Sequence, residues 1–362
     1  MIIERRLPWS TVLIWATPNI VQSSVWSLIV YLGYSELGLS FLRLPFLPIA
    51  TVGTAVAFYV GFKNNAAYDR FWEGRQIWGG IVNASRTFAV SVQNYVHATR
   101  GTGASAGDAT ASEGPVAHIA ALTDTHRRLI YRHLAWVNAL RLQLRKTSRF
   151  FDKPTAWTRR RMERHAEHMR NDWHKELSPF LDAEELAAVS AQANPATHLL
   201  ARQAADLRAL HDDRALDLFH QIELMRQIET FYGHQGACER IKNTPLPRQY
   251  AEFSRMFVKV FVFLIPFGLL DVFAERINEA QAAIGWIAPW LPAVPMILSS
   301  ALVSWVFRVM EGIGDASEDP FERSMNDVPM NALSRTIEID LRSLLGETDL
   351  PAKEERIDNL LY

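Results

Sequence analysis

The chain has 362 residues, sets 38 basic side chains against 39 acidic ones and is 49% hydrophobic, with a mean hydropathy of −0.04. Ample apolar content at almost no net charge excludes a disordered chain, and the balanced charge excludes a nucleic-acid binder that works through bulk positive charge. A single cysteine, Cys238, excludes a disulfide framework and any cysteine-based metal site.

These averages describe a soluble globular protein, but the charges are unevenly distributed. None lies between Arg6 and Glu36, between Arg43 and Lys63, or between Glu279 and Arg308. Each run approaches or exceeds the roughly 20 residues a helix needs to cross about 30 Å of hydrocarbon. The first is too long for a secretory signal and has no small-residue cleavage site before Glu36, so a retained span is expected near 9–34. Pro18, Asn19 and Gln22 inside it either face a bundle or wet cavity or mark a packed kink. A second span is expected near 44–62. A further apolar stretch, Phe257–Phe273, is interrupted by Lys259 and Asp271; it gives a third span near 255–273 if those charges sit at its ends or face protein. The fourth is expected near 281–307.

The predicted organisation is therefore a first transmembrane hairpin (1–62), a polar helical domain (63–250), a second hairpin (251–308) and a C-terminal segment (309–362). Inside the polar domain, the small and polar residues 101–115 read as a flexible loop. Segments 76–98 and 126–150 read as amphipathic helices, with Leu129, His133, Trp136, Leu140 and Leu144 spaced as one buried stripe. Arg159, Arg160, Arg161 and Arg164 beside Trp157 read as a solvated basic face, with phospholipid or nucleic acid as the sharper alternative. His165 and His168 lie one turn apart but lack the HExxH pattern. No phosphate loop, nucleophile elbow or paired-carboxylate constellation is visible, so no enzyme and no cofactor is expected.

Arg5, Arg6, Lys63, Arg70, Arg75, Arg248 and Arg255 cluster at one set of span ends, whereas a short 271–279 loop with Asp271, Glu275, Arg276 and Glu279 is acidic on balance. The positive-inside rule places both termini and the polar domain in the cytoplasm, with Trp286 and Trp290 at the outer interface and Trp305 at the inner one. The expected fold class is all-α: a multi-pass membrane protein with four transmembrane helices per protomer and a cytosolic helical domain.

Two segments are more specific than hydropathy. One is Gly61-Phe62-Lys63-Asn64-Asn65-Ala66-Ala67-Tyr68-Asp69-Arg70-Phe71-Trp72-Glu73, followed by Trp78-Gly79 and Asn83-Ala84-Ser85-Arg86. The other is Asp315-Ala316-Ser317-Glu318-Asp319-Pro320-Phe321-Glu322, followed by Asn326-Asp327-Val328-Pro329-Met330 and Ser334-Arg335-Thr336-Ile337-Glu338. With Glu239-Arg240-Ile241 and Asn243-Thr244-Pro245-Leu246-Pro247, they resemble the bacterial branch of the bestrophin family over nearly the whole chain, most weakly across 101–230.

That resemblance implies a homopentameric ion channel in a bacterial inner membrane, with both termini cytoplasmic, all chains around one axial pore, and the lipid bilayer and permeant inorganic ions as its other partners. Family second-span helices line a hydrophobic neck; here the positions are Thr54, Phe58 and Phe62, whose four-residue spacing puts them on one helix face. Copies of Phe58 and Phe62 about an axis form apolar rings able to gate by dewetting, and Thr54 stands where animal members are apolar, which eases wetting. The family's lower constriction falls on Thr244, with Leu246 next, although Asn243-Thr244-Pro245 also reads as a helix cap. Arg70 and Trp72 match positions that brace helix packing. Of the animal calcium-binding run before Phe321-Glu322, only Glu318 and Asp319 keep carboxylates, and calcium takes six to eight oxygens, so a calcium clasp is not expected. The family implies anion (chloride) conduction, with monovalent cations such as sodium the alternative seen in bacterial relatives. Lys63 beside the neck argues for anions and the acidic 271–279 loop for cations. Two other classes compete: a secondary transporter, for which Pro18 and the prolines at 289, 292 and 295 would supply kinks although no inverted repeat is visible, and a membrane-anchored signalling or scaffold protein.

Overall fold

The computed structural model describes residues 9–97, 115–146, 169–284, 290–322, 326–356 and 360–362. Among them the regular elements are helices: α1 (Trp9–Ser35), α2 (Phe46–Tyr95), α3 (Pro115–Arg145), α4 (Trp173–Leu177), α5 (Ala183–Ser190), α6 (Pro195–Asp212), α7 (Leu218–Asn243), α8 (Arg248–Ile284), α9 (Val294–Glu318) and α10 (Met330–Leu344). The chain divides into two units: an apolar one made of the residues up to Arg70 with Pro245–Asp319, and a polar one made of Phe71–Thr244 with Pro320–Tyr362. The unit limits fall at Arg70, Thr244 and Asp319.

Three helical stretches are long and apolar enough to cross a membrane: Ser40–Tyr95, Arg248–Ala280 and Leu291–Glu318. The first charge-free run forms α1, with Pro18 inside it. Two expectations about element ends are corrected. Residues 271–279 are not a loop but part of α8, because Asp271-Val-Phe-Ala-Glu-Arg-Ile-Asn-Glu carries charge but no glycine or proline to break a helix. The helix of the second span does not end at Phe62 but continues to Tyr95, absorbing the helix expected at 76–98; a change in polarity alters a helix's surroundings, not its backbone. Of the loop expected over 101–115, Pro115 begins α3; residues 101–114, the Arg159–Arg164 cluster with Trp157, His165, His168, Trp286 and Pro289 lie outside the described residues.

In the apolar unit α1 packs on α9 and α9 on α8. Small residues permit the approach, as apolar helices require when hydrophobic burial gives little drive. The Ser27 and Ser300 hydroxyls bond each other at 2.7 Å, and Trp26 donates to the Phe263 carbonyl at 3.0 Å. A Cβ at Gly53 would stand 2.5 Å from the Phe261 ring. At Gly314 a Cβ would overlap Asn64 Oδ1, and Asn64 is not free to retreat, since its Nδ2 donates to the Met310 carbonyl at 2.8 Å.

In the polar unit, helices start where an acid or amide can cap them: Asp172, Asp182, Asn194 and Asp217 each accept from backbone N–H groups of the first turn of α4, α5, α6 and α7, the groups a helix start leaves unpaired. The stripe Leu129, His133, Trp136, Leu140 and Leu144 is buried along α3. There Phe231 stands 4.5 Å from the His133 ring and 5.0 Å from Trp136, centroid to centroid, and Trp136 donates to Gln235 Oε1 at 3.0 Å. Ser85 spends its single hydroxyl proton on the Ile81 carbonyl, so in the 2.8 Å contact between His133 Nε2 and Ser85 Oγ Nε2 is the donor. Burial pushes the His133 pKa down to about 3. Arg141, fully buried, pairs with Glu176 at 2.7 Å and donates to Asn331 Oδ1 at 2.8 Å.

Two outcomes follow. Gly314→Ala should destabilise the protein by roughly 1–3 kcal/mol, seen as a lower Tm in detergent, and Asn64→Ala in the same chain should restore part of the loss by removing the overlap. Below roughly pH 6.5 the unfolded chain binds a proton at His133 that the folded protein refuses until about pH 3. Stability from this group is therefore complete above that range and declines as pH falls, by up to roughly 1.4 kcal/mol per pH unit. A His133→Gln variant should show a shallower fall of Tm between pH 6.5 and 5 than the parent.

Candidate functional site

Thr54, Phe58 and Phe62 occupy one face of α2, and that face is uncovered in the protomer. Phe58 is 67% and Phe62 60% exposed, and Thr54 is exposed too, which is a large apolar area for side chains outside a core. Beside them, about 100° round the helix, run Gly53, Ala57 and Gly61. Together with Ala50, Asn65, Phe261 and Phe307 these residues line an open groove of about 730 Å³. Phe261 and Phe307 are 4.5 Å apart, centroid to centroid. The small residues were not singled out in the sequence, although their four-residue repeat parallels that of Thr54, Phe58 and Phe62.

Lys63 corrects the expected pore-side charge. It is fully buried, 3.2 Å from Glu311 and paired also with Asp315, both on α9. Being one residue beyond Phe62 turns it by about 100°, away from the uncovered face. Arg255 of α8 completes the cluster, 3.1 Å from Asp315 and 3.8 Å from Glu311. Asp271, at the start of the charged stretch 271–279 of α8, is also committed: it pairs with Arg43 at 2.8 Å and accepts from the Phe46 backbone N–H at the start of α2. Both Lys63 and Asp271 are therefore paired within the protomer.

Thr244 is exposed and ends α7 as its C-cap, its N–H donating to the Arg240 carbonyl. Thr244 therefore ends one helix rather than starting the next, which begins at Arg248, and its side chain is open to solvent. Leu246, by contrast, is 6% exposed; two residues on, it turns inward, so of the two proposed constriction residues Thr244 alone presents a side chain.

Arg70 braces the end of α9, its Nε donating to the Glu318 carbonyl at 2.8 Å and its guanidinium lying 3.8 Å from Asp319. Glu318 is buried. Among the described residues no three His, Cys, Asp or Glu side chains gather as metal ligands would, and a cation already lies against Asp319. In the polar unit Glu322 pairs with Lys242 at 3.0 Å and Asp327 with Arg145 at 3.4 Å, so the acids of this motif serve separate ion pairs. Trp72 is half-exposed.

Comparison with known proteins agrees with this architecture. Residues 6–343 match the family model described as bacterial/fungal bestrophin protein. The "voltage-dependent anion channel-forming protein YneE" of Salmonella typhi is 26% identical over 322 residues, 88% of this chain and 82% of that one. The protein of the same name in Escherichia coli K12 is 27% identical over 320 residues, with the same shares. Among solved structures, a bacterial bestrophin homologue from Klebsiella pneumoniae aligns with a TM-score of 0.66 at 24% identity, covering 93% of this chain and 99% of that one. With apolar helices of spanning length and a family match over nearly its whole length, this chain is a membrane protein of the bacterial and fungal bestrophin family.

Proposed function

We propose that the chain assembles as a homopentamer in a bacterial inner membrane and forms a passive channel for small monovalent anions, its pore lined by α2 helices around one axis. The observation that carries this reading is the uncovered stripe of Thr54, Phe58 and Phe62 on a helix whose neighbouring charge, Lys63, is turned inward and neutralised. Large aromatic side chains left open on an apolar helix demand cover from another copy or a role in a pore. A ring of them about an axis makes a constriction that conducts when wet and closes when dry. α1 serves as the fourth span, and both termini and residues 63–250 are cytoplasmic. Thr244 supplies a second, polar ring. Relatives named as anion channel-forming proteins support anions as the cargo. Monovalent cations are the second reading, favoured by the absence of a free positive charge on the described groove, since Lys63 is buried.

Purified protein in planar bilayers tests the proposal. Under a tenfold NaCl gradient the reversal potential should approach the chloride equilibrium value, about 59 mV in magnitude; an approach to the sodium value selects the cation reading, and no current at all removes the channel. A negatively charged thiol reagent should block most of the current through Phe58→Cys and leave the parent unaffected. The native Cys238 gives little background, being buried with its thiol pKa pushed up by burial. Current unchanged by modification at both Thr54→Cys and Phe58→Cys would remove the pore assignment.

Lys63 gives a separate outcome. Replacing it by methionine strands two carboxylates with Arg255 alone, and breaking a buried pair costs roughly 3–5 kcal/mol. Lys63→Met should therefore lower the Tm and the yield of folded channel while leaving the reversal potential of the surviving channels where it was. A pore-lining lysine would do the reverse.

A further inference from the structure

Arg308 is packed against neutral groups rather than carboxylates. It lies within the stretch Leu291–Glu318, which is apolar enough to span a membrane, and among the described residues no carboxylate lies within ion-pair distance of it. Its contacts are two neutral amides of α1: Nη1 donates to Asn19 Oδ1 at 3.2 Å and to Gln22 Oε1 at 2.5 Å. These are the polar residues that stand out within the first apolar run. Both amides contact one guanidinium nitrogen, so the Nη2 and Nε edge, the fork that matches a phosphate bidentately, carries no bond to any described residue. A cation at such a depth without a counter-charge is costly, and these amides orient it without neutralising it.

Depth and surroundings identify the counter-charge. Arg308 is three residues before Glu311, a rise of about 4.5 Å, and Glu311 pairs with Lys63, the residue that ends the charge-free run of α2. The guanidinium is therefore just inside the level where apolar chain gives way to charge, at reach of lipid headgroups by snorkelling. Gln22 is exposed and shares a helix face with Val25 and Ile29, which are 52% and 54% exposed. An apolar ridge ending at a half-satisfied guanidinium is complementary to an acyl chain ending at a phosphate; a free inorganic anion would use only the second.

We propose that Arg308, held by Asn19 and Gln22 between α1 and α9, binds the phosphate of an anionic phospholipid in the leaflet on that side. The site requires only these two helices and is independent of what α2 conducts.

Native mass spectrometry of the purified assembly titrated with phosphatidylglycerol or phosphatidylcholine tests it, with Tm as a second readout. The parent should retain phosphatidylglycerol preferentially and gain about 2 °C or more in Tm from it. Arg308→Gln should hold that lipid about tenfold less well, as expected for a lost charge-assisted bond. Gln22→Leu should weaken it by misorienting the fork, and Lys259→Gln, which removes an exposed α8 charge, should change nothing. Equal retention of the two lipids by the parent would overturn the proposal whether or not Arg308→Gln folds. So would undiminished preference in Arg308→Gln, equal loss in Lys259→Gln, or displacement by millimolar inorganic phosphate, which would make the site one for a free anion.

Discussion

The burial of Lys63 against Glu311 and Asp315 sets the rotation of α2, and the uncovered face follows from it. Neighbouring residues on a helix differ by about 100°, so a helix that sends Lys63 into α9 must present Phe62 elsewhere. Asn64 adds a second constraint through the Met310 carbonyl, and Gly314 a third by leaving room for that amide. Rotating α2 by one residue would pull an ammonium off two carboxylates and break all three contacts together. Such a pair adds little net stability, because desolvation offsets most of the attraction. Its effect lies in the penalty on every other rotation, which makes it a device of registry.

The same economy of charge runs through both units. Arg43 with Asp271, Arg70 with Asp319 and Arg255 with Asp315 belong to the apolar unit; Lys242 with Glu322, Arg145 with Asp327 and Arg141 with Glu176 belong to the polar one. These charges are paired across segments distant in sequence. This is why charge counting could not indicate an ion preference: Lys63 and Asp271, two of the charges that stood out in the sequence, are each paired with another side chain.

Much of the helical content was legible because apolar runs and 3.6-residue periodicity are local signals. The Leu129–Leu144 stripe is buried as its spacing required, and Thr54, Phe58 and Phe62 share a face as theirs did. The misreadings came from treating charge as a boundary. Residues 271–279 and 63–70 carry charge yet remain helical, since helix continuity depends on backbone propensity and polarity only on surroundings. What local pattern could not supply was the partner of a buried group. Glu311 lies 248 residues from Lys63, and the meeting of Asn19 and Gln22 with Arg308 spans more than 280. Such pairings exist only once helices are packed.

Thr54 refines the chemistry of the groove. A hydroxyl there reads, from sequence, as a wetter replacement for an apolar side chain. In the structure its proton is given back to the Ala50 carbonyl at 3.1 Å, a common use of threonine in a helix, so the groove meets a methyl group and oxygen lone pairs. An anion losing water needs donors, and this hydroxyl has none to spare; the phenylalanines that follow supply none either. A pore built from this face could not compensate an anion for shed water through Thr54, Phe58 or Phe62. Its preference among anions would then follow the cost of dehydration, favouring large, weakly hydrated ions over small ones, with the aromatic rings fixing the width at which that cost is met.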